Sequence, residues 1–258
     1  LLSAMLDNHL NKGNVLNIDT DSVFWPRVMD MNDRSLRSIT IGQGAKVNGP
    51  IRKERFDITA ASEVMAILAL SKDYRDLRER LGRVVVASDM DGAPVTADQL
   101  NAGGAMALLL RDAFLPNLVQ TLEGDPAFIH CGPFANIAHG NSSVVADSIA
   151  LSTCDYVVTE AGFGADMGAE KALQIKSDSS GIIPDCIVLN VTVRSMKLHG
   201  GAFGNKGSRR PTSEELATEN VEATSIGAST NLARHLTNLT STGTVSYTHL
   251  RAHETLLY

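Results

Sequence analysis

The chain has 258 residues, 43% hydrophobic and 20% charged, a globular composition with enough apolar residues for a sizeable core, which excludes a disordered or collagen-like polypeptide. Its 23 Lys and Arg against 29 Asp and Glu leave a net charge of −6. No overall positive field therefore draws it to nucleic acid or anionic lipid, and a small anionic ligand has to be held by local cations or backbone N–H groups.

The longest apolar runs, Val64 to Leu70 and Ala105 to Leu110, are far shorter than the roughly 20 residues that span a bilayer. The opening Leu1-Leu2-Ser3-Ala4-Met5-Leu6 has neither an initiator methionine nor the basic start of a signal peptide, and reads as the inside of a longer protein. Asp57 or Thr59 offers an N-cap for a helix of about three turns through Val64-Met65-Ala66-Ile67-Leu68. Arg83 to Ala87 is a β-branched run that predicts a buried strand of a parallel sheet. Thr96 is placed to cap a helix through Ala113, whose Gly103-Gly104 pair calls for close backbone packing. Pro116 to Thr121 and Ala127 to His130 predict two more strands, and Ser142 to Ser152 a helix.

From there the order is a strand over Asp155 to Glu160, a Gly-rich turn over Ala161 to Asp166, a helix over Gly168 to Ile175 and a buried strand over Cys186 to Val193. Strand, helix, strand in this order implies a right-handed parallel crossover and an α/β fold. Glu214 to Leu239 has helical spacing, broken near Gly227. Eight prolines against 21 glycines provide no Pro-rich hinge, so one continuous domain is expected. Cys131, Cys154 and Cys186, in no C-x-x-C spacing, fit a reducing cytoplasmic setting, and His130, His139 and His199 are too dispersed to argue a metal site.

Three segments concentrate chemistry. Glu160-Ala161-Gly162-Phe163-Gly164-Ala165-Asp166-Met167-Gly168 joins a strand end to a helix start, where open α/β sheets bind ligands. Its glycines let the backbone approach a ligand and Phe163 offers a flat face for a ring. The same residues also suit a tight strand-to-helix connection with Phe163 in the core. Val193-Arg194-Ser195-Met196-Lys197-Leu198-His199-Gly200-Gly201 gathers two cations, an imidazole and a glycine pair, able to hold a carboxylate or phosphate, or to form a solvated basic turn.

Between them, His130 to Ser142 is a loop in which His139, Asn141 and Ser142 are placed to cap the next helix and lie beside an anion or nucleotide. His139 serves there as a general base or a structural histidine. No G-x-x-x-x-G-K-[ST] occurs; Gly42-Gln43-Gly44-Ala45-Lys46 and Gly204-Asn205-Lys206-Gly207-Ser208 have the wrong order.

These segments in this order resemble the formate–tetrahydrofolate ligase family. The resemblance runs through Leu1 to His9, Asp30 to Arg34, Phe56 to Glu63, Pro116 to Glu123, Gly132 to Gly140, Tyr156 to Lys171 and Val191 to Gly201, and covers Leu1 to Gly243. It implies a P-loop NTPase-like α/β fold with a mostly parallel sheet flanked by helices, incomplete at both ends. It also implies ligation of formate to tetrahydrofolate, driven by ATP with Mg2+ through formyl phosphate, in a cytoplasmic homotetramer with a monovalent-cation site.

By the same resemblance, Phe163 stacks on the pterin or its attached ring, with Gly162, Gly164 and Asp166 shaping that pocket. Arg194, Lys197, His199, Gly200 and Gly201 fall in a signature near bound ligand. The family's phosphate-binding loop lies upstream of the position matching Leu1, so these 258 residues are expected to be inactive alone. Residues 245–258, beginning Val245-Ser246-Tyr247-Thr248-His249, look like translated adapter sequence following a central part over 1–244. Two other readings are an oxidoreductase using the Gly162-to-Gly168 turn for a dinucleotide, with Asp185 poorly placed for the ribose, and a non-catalytic scaffold.

Overall fold

The computed structural model describes residues 1–31, 33–203, 211–243 and 245–251, the last stretch by its backbone alone. Gly204 to Ser208 and residues 252–258 of the expected adapter tail lie outside the described residues. The chain forms two compact units, residues 1–160 and 161–258, although the sequence marks no hinge between them.

Unit 1 opens with α1 (Leu2–Asn11), followed by β1 (Arg27–Val28), β2 (Ile39–Ile41), β3 (Arg52–Glu54) and β4 (Phe56–Asp57). β1 pairs parallel with β4, and β2 antiparallel with β3. A partly buried ion cluster ties helix to strands: Asp7 of α1 binds both Arg27 and Arg52, and Arg52 also meets Glu54 at 3.3 Å.

Next come α2 (Glu63–Leu70) and α3 (Tyr74–Arg83). Ser62, rather than Asp57 or Thr59, caps α2 by accepting from the Val64 N–H, since Thr59–Ala61 already forms a separate 3-10 turn. α2 ends at two turns because the Ser71 hydroxyl bonds back to the Ile67 carbonyl, and Asp73 caps α3 afresh.

β5 (Val85–Ser88) is not in a parallel sheet: it pairs antiparallel with β6 (Pro94–Thr96). The reason is turn chemistry. The Asp89 carboxylate accepts from the Asp91 and Ala93 N–H groups, and Gly92 at φ +83° completes the hairpin. The helix predicted from Thr96 is confined to α4 (Gly103–Leu109), because Asn101 adopts a left-handed φ of +56°. The close packing expected at its glycine pair is found at Gly103, where a Cβ would lie 2.5 Å from the Asp98 carboxylate and 3.0 Å from the Gly82 Cα; Gly104 faces open space.

β7 (Asn117–Gln120) and β8 (Pro126–Ile129) form an antiparallel hairpin, and α5 (Val144–Thr153) is capped by Ser143. The strand expected over Asp155 to Glu160 does not form: no neighbour pairs with it among the described residues, and Tyr156 and Val158 are almost fully exposed. One core, including Leu6, Trp25, Leu77, Leu81, Val86 and Phe114, holds the unit together.

Unit 2 begins with wide helical turns over Gly164–Ala169 and Ala172–Ser177, then the single turn α6 (Asp178–Ser180), β9 (Cys186–Thr192) and α7 (Val193–His199). β9 alternates exposed and half-buried residues, so it is not the fully buried strand the sequence predicts. It pairs parallel with β10 (Val245–Arg251). α8 (Ser213–Ala217) starts in a capping box of Thr212 and Glu215. α9 (Val221–Gly227), a wide turn over Ala228–Leu232 and α10 (Ala233–Thr240) make the long helical run that the sequence breaks at Gly227.

The chain is thus α/β, with two parallel and three antiparallel strand pairs. Among the described residues no sheet exceeds two strands, in place of the mostly parallel sheet expected. No described helix is long and apolar enough to cross a membrane.

Candidate functional site

The Gly-rich turn is built around backbone that only glycine adopts comfortably. Gly162 and Gly164 sit at φ +78° and +73°, on either side of Phe163. At Gly168 a Cβ would lie 2.4 Å from the Ala161 carbonyl oxygen, so a side chain there would force the turn open. The outcome is a short loop that lifts Phe163 into solvent at 68% exposure. That rules out the core placement which the sequence left open for this ring.

Asp166 follows in the first turn, its carboxylate 3.9 Å from the Arg234 guanidinium of α10. One helical turn later Glu170 accepts from the Asn238 amide at 3.3 Å. Arg234 carries no sequence signature of a site; only the fold brings it beside Asp166.

The basic segment is α7. Thr192 caps it by accepting from the Ser195 N–H, and the helix places its polar groups in different settings. Arg194 is partly exposed and has no ion pair or hydrogen bond among the described residues. Lys197 is buried, at 4% exposure. Its ammonium donates to the Thr218 carbonyl at 2.8 Å and to the Leu216 carbonyl, satisfying the last turn of α8. His199 is exposed at the end of α7.

Gly200 has a packing reason as well: a Cβ there would lie 1.7 Å from the Ala223 carbonyl oxygen of α9, just as one at Gly227 would lie 2.0 Å from the Met196 carbonyl. Gly201 turns the chain at φ +85°. α7 therefore packs on α9 while the Phe163 turn packs on α10, and the two expected clusters flank one helical run in unit 2.

His139 and Asn141 belong to unit 1. His139 is fully buried and Asn141 nearly so, its amide donating to the Glu160 carbonyl at 3.2 Å. Nearby, His130 places Nε2 2.8 Å from the Ala113 carbonyl and Nδ1 2.6 Å from the Ser143 hydroxyl. A carbonyl can only accept, so Nε2 donates to Ala113, and Nδ1 shares the second bond with the Ser143 hydroxyl.

Unit 1 also holds a depression of about 370 Å³ lined by Phe24, Trp25, Arg55, Asp57, Glu63 and Arg83, among others. Loss of solvent there pushes the Glu63 carboxyl above its ordinary range. Periodicity reads Glu63 only as a first-turn helix residue, so nothing in the sequence pattern announces this cleft. Among the described residues no group of three His, Cys, Asp or Glu is gathered for a metal ion.

Fold and site together define an α/β protein that displays an aromatic ring between two left-handed glycines and an unpaired arginine on a neighbouring helix. Comparison with known proteins gives the particular family. The formate–tetrahydrofolate ligase model matches residues 1–252, and the chain belongs to that family.

Formate–tetrahydrofolate ligases from Roseiflexus sp. (strain RS-1), Desulforamulus reducens and Saccharopolyspora erythraea are 57%, 54% and 54% identical to it. The alignments cover 88%, 92% and 93% of this chain but 40%, 41% and 42% of those relatives. The chain thus spans about two-fifths of their length.

Proposed function

We propose that this chain is part of an ATP-dependent ligase that joins formate to tetrahydrofolate, and that unit 2 supplies its folate-facing groups. The family match supports the reaction. The observation that carries the site is Phe163, raised into solvent between Gly162 and Gly164, where its ring face is open to stack on a flat ligand.

In the reaction a formate oxygen attacks the terminal phosphorus of ATP, brought in with Mg2+ as part of the substrate, and ADP leaves. The folate amine then attacks the formyl carbon, phosphate leaves, and the amine loses its proton to give 10-formyltetrahydrofolate. Both steps build negative charge on phosphoryl oxygens, which cations and N–H donors stabilise.

Arg194 has the free, planar donor set for that work. Lys197 has its ammonium committed to two carbonyls, which supports a positioning role that keeps α7 seated. Asp166, three residues after the ring, faces Arg234 at 3.9 Å and brings charge to the same turn.

The 258 residues contain no G-x-x-x-x-G-K-[ST] loop, so they are expected to bind tetrahydrofolate without making product. Titration calorimetry of the chain with tetrahydrofolate tests this. Phe163→Ala is expected to weaken binding about tenfold, and formate, ATP and tetrahydrofolate together are expected to yield no 10-formyltetrahydrofolate above an enzyme-free control. Undiminished binding by Phe163→Ala, or product formation, would contradict the proposal.

A further inference from the structure

The loop between β2 and β3 carries an inference separate from the ligase reading. We propose that it is a site of spontaneous covalent modification, at which the Asn48 side chain closes on the Gly49 nitrogen, and that the isoaspartate so formed loosens the hairpin from α1. Asn48-Gly49 is the one Asn-Gly pair in the 258 residues, and every other asparagine is followed by a residue with a Cβ. The attacking atom in this chemistry is the backbone nitrogen of the next residue, and a side chain on that residue crowds its approach.

The structure leaves that approach open. Asn48 is exposed at the end of a 3-10 turn over Lys46–Asn48. Gly49 follows in the left-handed region at φ +87°, with open space where a Cβ would stand. Its N–H donates to the Lys46 carbonyl at 3.2 Å, the poorly aligned kind of bond that closes a 3-10 turn, so the nitrogen is lightly held. The Asn48 amide donates through Nδ2 to the Gln43 carbonyl at 2.7 Å, which holds the side chain within the loop.

The Gly49 nitrogen bonds to Asn48 Cγ and gives up its proton, the Cγ–Nδ2 bond breaks, and the amide nitrogen leaves with that proton as ammonia. Water then opens the cyclic imide. Attack at Cγ gives aspartate, and attack at the main-chain carbonyl carbon gives isoaspartate, in which the chain runs through Cβ and Cγ. Either product strips the Gln43 carbonyl of its donor. Isoaspartate also adds a carbon to the main chain of a tightly closed loop, since a Cβ on Gly42 would lie 2.2 Å from the Pro50 carbonyl oxygen. That loop meets α1 where the Asn11 amide donates to the Val47 carbonyl at 3.1 Å, and β3 meets it where Arg52 binds Asp7, so a lengthened loop disturbs both contacts.

The test is peptide mass analysis of the 258-residue chain, fresh and after incubation at pH 6 and at pH 9, with fragmentation that separates isoaspartate from aspartate. The mass gain of exchanging NH for O is expected at Asn48 ahead of every other asparagine, and faster at pH 9, because the Gly49 nitrogen must lose its proton. Asn48→Gln, whose longer side chain has to close a larger ring, is expected to keep its mass at this position. Hydrogen–deuterium exchange of the aged chain is expected to quicken over residues 39–54 and 2–11 and to stay unchanged over residues 74–83; aged Asn48→Gln is expected to show no such change.

No mass gain at Asn48 after incubation at pH 9, or a gain no faster than at the other asparagines, would overturn the proposed site. A gain at Asn48 that leaves exchange unchanged over residues 39–54 and 2–11 would overturn the loosening. None of these outcomes bears on tetrahydrofolate binding at Phe163, so the two readings fail separately.

Discussion

The two units are held together by different means. Unit 1 encloses a single apolar core in which Leu6, Leu77, Leu81 and Val86 are fully buried. Unit 2 has far fewer buried apolar residues, Ala169, Met196, Ala223 and Leu239 among those described. Its helices approach through Gly200 and Gly227, and α7 is tied to α8 by the Lys197 ammonium. In this region assembled by backbone contact, Phe163 stays exposed and Arg194 is half-buried with no partner among the described residues.

Core and contact substitutions can break this comparison, and the largest expected effect is in unit 1. Leu81→Ala removes a fully buried side chain and is expected to cost about 2–5 kcal/mol in denaturant unfolding. Its loss of amide-exchange protection should concentrate in residues 1–160. Gly200→Ala pushes a methyl into the Ala223 carbonyl and should cost about 1–3 kcal/mol, with protection lost in α7 and α9. If both variants weakened the same amides, the division into two modes of packing would be wrong.

Lys197→Met sharpens the picture further. It keeps the length of the side chain but strips two carbonyls of their donor, an expected loss of about 1–3 kcal/mol in thermal unfolding. A normal melt with lost anion binding would instead make Lys197 a ligand group.

The smallest effect is electrostatic, on the surface of unit 1. Burial pushes the Asp76 carboxyl up, but the Lys72 N–H and the Arg80 guanidinium pull it further the other way, so it lies below its ordinary value of 3.8. The folded state therefore gives up this proton more readily than the unfolded chain. The stabilisation is complete above the ordinary value and is lost as pH falls through the lower folded one. Asp76→Asn should accordingly melt slightly below the parent at pH 7 and level with it near pH 2, as followed by circular dichroism.

The sequence made most elements legible where local chemistry decides them. The β7–β8 strands and α5 follow from short apolar runs, although Ser143, and not the expected His139, Asn141 or Ser142, caps the helix, and the helical run from Val221 continues through Gly227, where the sequence predicts a break. It misled where a single side chain redirects the chain. The Asp89 carboxylate folds β5 back on β6, and Asn101 in a left-handed conformation shortens α4, and neither is visible in hydrophobic periodicity. The Asp155-to-Glu160 run has strand composition, but a strand exists only beside a partner.

For the site, the glycine spacing marked the Phe163 turn while leaving open which way the ring points, since two left-handed residues decide that. Arg194 and Lys197 look alike in sequence, three residues apart. Only the burial of Lys197 and its two carbonyl bonds separate it from the half-buried, unpartnered Arg194.

Folate binding at the Phe163 turn of unit 2 is tested most directly by hydrogen–deuterium exchange of the 258-residue chain with and without tetrahydrofolate. Slowed exchange over residues 162–169 that vanishes in Phe163→Ala is expected, with the melting behaviour of the free variant within about 0.5 kcal/mol of the parent. Protection that leaves residues 162–169 unchanged, or that survives the substitution, would contradict it.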